Sequence, residues 1–114
     1  MIPKNNKDKP LIKAAEKISK SPTKHILSEI QKDICVTERA LQRIFEKNIG
    51  VSPNQFRKIH QFNKAFRQLN NRQFQSLSNI AYDNAYADQS HYTRAFKEFT
   101  NITPKEYLDL KVAG

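Results

Sequence analysis

Two segments of the chain resemble each other when the sequence is compared with itself. An offset of 51 residues aligns 43–56 with 94–107. The aligned pairs are Arg43 with Arg94, Phe45 with Phe96, Val51 with Ile102, Ser52 with Thr103, Pro53 with Pro104, and Phe56 with Tyr107. Upstream the offset is 50, which aligns Ile30 with Ile80 and Asp33 with Asp83. The second copy therefore carries one extra residue between its helices, and two such units, joined by a long helix, fit within 114 residues.

Apolar residues after Pro10 recur every three or four positions, as they do on one face of a helix. The longest stripe runs from Phe56 to Leu69, and no segment alternates apolar and polar residues for long. Residues 1–9 are mostly polar and are interpreted as a linker or flexible N-terminal tail before a domain at 10–111. The pattern predicts an all-α fold of seven helices, at about 10–19, 22–32, 37–48, 53–69, 77–84, 89–99 and 104–111.

The pattern of each copy predicts a helix, a tight turn, a second helix and then a capped helix. The sequences Ser52-Pro53-Asn54-Gln55 and Thr103-Pro104-Lys105-Glu106 are typical of capping boxes with proline in the first turn. Two helices joined by a short turn form a helix-turn-helix motif, or else a plain αα-hairpin with no role in DNA binding. The prediction is two helix-turn-helix subdomains, at about 22–48 and 77–99, bridged by the long central helix at 53–69 and followed by a final helix at 104–111.

The chain carries a formal net charge of +9 and has a pI near 9.8. This balance favours an anionic partner, either nucleic acid or an acidic membrane surface. The alternative to DNA binding is a basic helical interaction module that docks on a membrane surface or a protein partner. That alternative predicts one broad basic amphipathic helix, whereas the basic residues here are spread over several helices.

Several classes of site lack the residues that they need. Two glycines are too few for a phosphate-binding or dinucleotide-binding loop, and Cys35 alone cannot form a disulfide or a cysteine zinc cage. The lone thiol of Cys35 fits a reducing cytosol, and no histidine is placed by sequence to activate it. The three histidines are never spaced as a helical metal-binding pair. We therefore expect no enzyme activity, no metal and no cofactor, and no membrane span.

The second helix of each predicted motif has a polar outer side. On a helical wheel, Arg39, Gln42 and Arg43 lie opposite the apolar residues of helix 37–48. Arginine can bond guanine and glutamine can bond adenine through two base-edge groups at once, so this side suits the major groove. The corresponding side of helix 89–99 offers shorter and more hydroxyl-rich side chains, namely Ser90, Thr93, Arg94 and Lys97 with Gln89 at its edge. These suit phosphates and water-mediated contacts better than base readout.

The second copy resembles the signature of AraC/XylS-type transcription regulators. The matching residues run from Ile80-Ala81-Tyr82-Asp83, through Ala87-Asp88-Gln89-Ser90-His91-Tyr92-Thr93-Arg94-Ala95-Phe96-Lys97, to Thr103-Pro104-Lys105-Glu106-Tyr107. In the first copy, Leu41-Gln42-Arg43-Ile44-Phe45 and Gly50-Val51-Ser52-Pro53 are similar to the family's first helix-turn-helix. The resemblance covers about residues 10–110.

The resemblance implies seven helices and two recognition helices in adjacent major grooves of double-stranded promoter DNA. It implies base reading by Arg39, Gln42 and Arg43, and DNA contact by Gln89, Ser90, Thr93 and Arg94. Members of the family control transcription, often in contact with RNA polymerase, and work in the cytoplasm at the nucleoid. Many also carry an N-terminal effector-binding domain, which these 114 residues do not include.

The chain departs from the family pattern at its turns. Cys35 and Ala85 stand where the family usually has glycine, and Asn101 replaces the glycine before the final helix. If these turns need a positive φ, each non-glycine residue costs on the order of 1 kcal/mol. Glu46 occupies a position where a basic residue is common, which weakens a phosphate contact there.

Overall fold

The chain is all-α in a computed structural model that describes residues 9–113. Within that range it has seven helices and no strand. They are α1 (Lys9–Lys20), α2 (Ile26–Asp33), α3 (Glu38–Asn48), α4 (Pro53–Asn70), α5 (Leu77–Asp83), α6 (Gln89–Thr100) and α7 (Pro104–Ala113). The predicted tail at residues 1–9 lies outside the described residues except for Lys9, which begins α1.

One predicted boundary is wrong. Helix α2 begins at Ile26 and not at residue 22, because residues 21–25 form turns. The Thr23 N–H donates to the Ser21 carbonyl (2.8 Å), and the Ile26 N–H donates to the Thr23 carbonyl (3.2 Å). Pro22 is buried, and its carbonyl accepts from the Arg57 guanidinium (3.4 Å). The Ile26 N–H thus closes a turn at Thr23 and does not make the bond to the Pro22 carbonyl that a helix begun at residue 22 requires.

The chain divides into two compact units, and each has its own apolar core. The first unit ends at Gln61 and the second begins at Phe62. The first core consists of Leu11, Ala14, Ile18, Ile26, Ile30, Leu41 and Phe45. The second consists of Phe62, Ala65, Leu69, Ile80, Ala81, Tyr86, Tyr92 and Phe96. Helix α4 contributes Phe56 against the first core and three buried residues to the second.

The repeat extends further upstream than the sequence comparison indicated. At an offset of 51, α1 aligns with the second half of α4. The buried residues of the two segments coincide as Leu11 with Phe62, Ala14 with Ala65, and Ile18 with Leu69. Each unit is therefore a helix followed by a helix-turn-helix and a capped helix, and α4 is the capped helix of the first unit and the leading helix of the second.

A side chain of the leading helix contacts an equivalent aspartate in both units. Lys17 of α1 forms an ion pair with Asp33 at the end of α2. At the aligned positions, Gln68 of α4 donates to Asp83 at the end of α5 (3.0 Å). The hydrogen bond from Lys17, and then its positive charge, hold the pKa of Asp33 below its usual value. Because both Lys17 and Asp33 are well exposed, their pair adds little to stability.

Candidate nucleic-acid interface

Each predicted recognition helix starts at a capping side chain. Thr37 Oγ1 accepts from the Ala40 N–H (3.0 Å) at the start of α3. Asp88 Oδ1 accepts from the His91 N–H (2.8 Å) at the start of α6. These caps satisfy helix N–H groups that have no intrahelical acceptor. Thr37 and Asp88 align at an offset of 51, so both helices begin at equivalent points of the repeat.

The turn before each of these helices uses a left-handed backbone conformation. Cys35 has φ of 52° and Ala85 has φ of 66°. The chain then leaves the helices through a second equivalent pair of left-handed residues, Gly50 (φ 93°) and Asn101 (φ 69°). The sequence-based condition that the turns need a positive φ is therefore met at Cys35, Ala85 and Asn101. The backbone therefore enters and leaves α3 and α6 through left-handed residues at equivalent positions.

Helix α3 is fixed to the first core by its inner side. Leu41 and Phe45 are buried there, and the Phe45 ring meets Phe56 edge-on at 5.4 Å between centroids. The structure places the three predicted base-reading residues of this helix on the exposed side: Arg39, Gln42 and Arg43. Gln42 is engaged by a neighbour one turn along, because its Nε2 donates to Glu46 Oε1 (2.9 Å). The outer side of α3 therefore presents the guanidinium groups of Arg39 and Arg43 beside the hydrogen-bonded pair of Gln42 and Glu46.

Helix α6 is fixed to the second core by Tyr92 and Phe96, which are fully buried. Four of the five predicted DNA-contacting residues of this helix are exposed and one, Thr93, is half-buried: Gln89, Ser90, Thr93, Arg94 and Lys97. Gln89 Oε1 accepts from Ser78 Oγ of α5 (2.8 Å), which ties the first turn of α6 to the preceding helix. The outer side of α6 therefore presents two cations and short hydroxyls, with no acid among the five.

Two residues of these surfaces were missed by the sequence analysis as functional candidates. Glu46 was treated only as a weakened phosphate contact, although the offset of 51 already aligns it with Lys97. Ser78 gave no signal in the sequence, since its bond to Gln89 joins two different helices.

Other kinds of site find little support in the described part of the chain. Between residues 9 and 113, no group of three or more His, Cys, Asp or Glu side chains could hold a metal ion. None of the helices described here is long and apolar enough to cross a membrane.

The comparisons with known proteins agree with this geometry. A family model described as a helix-turn-helix domain matches residues 30–109. The HTH-type transcriptional regulator ArgR of Pseudomonas aeruginosa is 30% identical to this chain over 86 residues, which are 75% of the chain and 26% of that protein. The chain thus spans only about a quarter of that relative's length. No solved structure matches the chain significantly. The matched family model and the two repeated helix-turn-helix units establish that the chain belongs to the AraC-type helix-turn-helix family of transcription regulators.

Proposed function

We propose that this domain binds one asymmetric site on duplex DNA as a monomer, with α3 and α6 as its recognition helices, and so regulates transcription from a promoter. The observation that carries the proposal is the repeated unit. Each copy holds a capped helix with a buried inner side and an exposed polar outer side. Dimeric helix-turn-helix proteins place two recognition helices on DNA, one from each chain, whereas this single chain supplies both.

The residues proposed to contact DNA are those on the two outer sides. On α3, Arg39, Gln42 and Arg43 have the length and the donors to reach base edges. On α6, Gln89, Ser90, Thr93, Arg94 and Lys97 are proposed to hold the protein in register on the phosphates, helped by the positive end of the helix dipole. Because the two outer sides differ, the DNA site is proposed to be asymmetric.

The name of the Pseudomonas relative supports transcription regulation as the purpose of DNA binding. We extend this to contact between the bound domain and RNA polymerase, as in many AraC-type regulators, and to a place of action at the nucleoid. The net charge of +9 supports the affinity for DNA at both specific and random sequences.

The test is selection of binding sites from a random duplex library, followed by measurement of stoichiometry on the selected site. We expect one chain per site and two unlike motifs about one helical turn apart. A palindromic site that holds two chains would contradict the proposal. Sedimentation with anionic liposomes at the same salt concentration tests the alternative, and stronger binding to liposomes than to DNA would favour it.

A further inference from the structure

The hydrogen bond between Gln42 and Glu46 lies on the side of α3 proposed to face DNA. Gln42 Nε2 donates to Glu46 Oε1 (2.9 Å) across one helical turn, and both side chains are exposed. Glu46 is in the last turn of α3, where the helix dipole disfavours a negative charge. The acid is therefore poorly placed to stabilise the helix, and the exposed bond to Gln42 adds little.

The second copy of the repeat carries the opposite charge at the position of Glu46. The residue aligned with Glu46 in α6 is Lys97, while Arg43 aligns with Arg94. A carboxylate at this position repels a phosphate, whereas the lysine of the second unit attracts one. A phosphate oxygen cannot donate to Glu46, so if this carboxylate contacts DNA, its partner is a hydrogen-bond donor on a base edge.

Only two groups in the major groove donate hydrogen bonds: the exocyclic amines of cytosine and adenine. Adenine places its N7 acceptor beside that amine, and N7 repels a carboxylate. Guanine offers two acceptors, O6 and N7, and no donor there. Cytosine therefore suits Glu46 best. Gln42 has two amide hydrogens, so donation of one to Glu46 leaves its other hydrogen and its Oε1 for a neighbouring base.

We propose that Glu46 is a base-selecting residue of the first recognition helix, which accepts a hydrogen bond from a cytosine amine and orients the amide of Gln42. The proposal rests on the DNA-binding function proposed above. The difference between Glu46 and the aligned Lys97 is thereby explained by base selectivity in α3, at a cost in affinity for the phosphates.

The experiment compares the full chain with its Glu46→Gln and Glu46→Ala variants. Dissociation constants are measured at one salt concentration on the selected site and on duplexes with each single base-pair change under α3. We expect wild type to prefer cytosine at one position by about tenfold. Glu46→Gln should bind the duplexes that lack this cytosine more tightly and change the preferred base there to adenine, because a glutamine amide pairs with the adenine edge. Glu46→Ala should remove the preference at that position alone.

Two control variants separate selectivity from charge. Glu16→Gln removes the same charge from an exposed position on α1, outside both helix-turn-helix motifs, and should leave every base preference unchanged. Lys97→Gln should weaken binding to all duplexes by similar factors. If Glu46→Gln tightens binding to all four base pairs equally, Glu46 acts only by repulsion and the proposal is wrong. That result would leave the proposed function standing, which fails instead if wild type selects no site.

Discussion

Cys35 and Ala85 occupy equivalent turns in the two units and share the left-handed backbone conformation, with φ of 52° and 66°. A side chain with a Cβ atom is strained in this region, and glycine is the residue that enters it freely. Both residues are exposed, so burial of their side chains does not offset this strain. The helix-turn-helix geometry of this chain is therefore held against a local conformational penalty at both turns.

Replacing these residues with glycine should stabilise the protein. We expect Cys35→Gly and Ala85→Gly each to raise the free energy of unfolding by about 0.5–1 kcal/mol. Glycine relieves the backbone strain of the native turn, and the greater entropy of the unfolded chain offsets part of that gain. Urea unfolding followed by circular dichroism measures the change. The matched control is Ala15→Gly in the middle of α1, which should destabilise by about 1 kcal/mol. If Ala85→Gly destabilised as much as this control, the turn would not need a left-handed residue.

The turn residues also mark what the sequence could and could not predict. The position of glycine in the family pattern raised a positive φ at Cys35 and Ala85 only as a condition, and the backbone of both residues meets that condition. The burial of Phe45 and Phe96 followed from helical spacing, and the structure confirms it. The start of α2 was mispredicted because the Ile26 N–H donates to the Thr23 carbonyl in a turn, which the spacing of apolar residues does not specify. Likewise the contacts of Gln42 with Glu46 and of Gln89 with Ser78 depend on side-chain rotamers, which residue spacing alone does not determine.

Truncation of either equivalent phenylalanine should unfold its own unit. Phe45 and Phe96 are fully buried, one in each core. Loss of a buried phenylalanine costs about 3–5 kcal/mol, which is comparable to the whole stability of a small domain. We expect Phe45→Ala and Phe96→Ala to lose most of the cooperative thermal transition followed by circular dichroism. Phe99→Ala is the control, because Phe99 is 40% exposed and the loss of its ring should lower the melting temperature much less. A melting temperature of Phe45→Ala or Phe96→Ala near that of wild type would contradict the burial.

The hydroxyl of Tyr92 is buried without a hydrogen-bond partner in the described structure. An unsatisfied buried polar group costs about 1–3 kcal/mol, so Tyr92→Phe should raise the free energy of unfolding by roughly 1 kcal/mol. Tyr107→Phe is the matched control, because the Tyr107 hydroxyl donates to Asn70 Oδ1 (2.8 Å). That variant should be less stable than wild type by about 0.5–1.5 kcal/mol. Equal effects of the two substitutions in urea unfolding would indicate that the Tyr92 hydroxyl has found a partner.

Tyr92 also makes the free energy of unfolding depend on pH in the alkaline range. Burial, and then the neighbouring Tyr86, raise the pKa of the Tyr92 hydroxyl above its ordinary value of 10.0. Above that value the unfolded state releases the proton while the native state keeps it, so the free energy of unfolding falls as pH rises. Below pH 10 this group leaves stability unchanged. Urea unfolding at several pH values between about 9 and 11.5 should show the decline, and Tyr92→Phe should make it shallower. An identical decline in both proteins would assign it to other groups.

The two recognition helices should contribute unequally to sequence choice. Arg43 and Arg94 are equivalent, exposed residues, but their surroundings differ. Arg43 stands beside the long side chains of Arg39 and Gln42, whereas Arg94 stands among short hydroxyls and Lys97.

We therefore expect Arg43→Ala to cost about 1–3 kcal/mol on the selected site and to relax the preference at one base pair. Arg94→Ala should weaken binding to specific and random DNA by similar factors, and make the slope of log affinity against log salt shallower by about one unit. Binding titrations of both variants on specific and random duplexes at several salt concentrations make the comparison. An Arg94→Ala variant that lost selectivity at a single base pair would show that α6 also reads sequence, because a phosphate contact carries no information about the base.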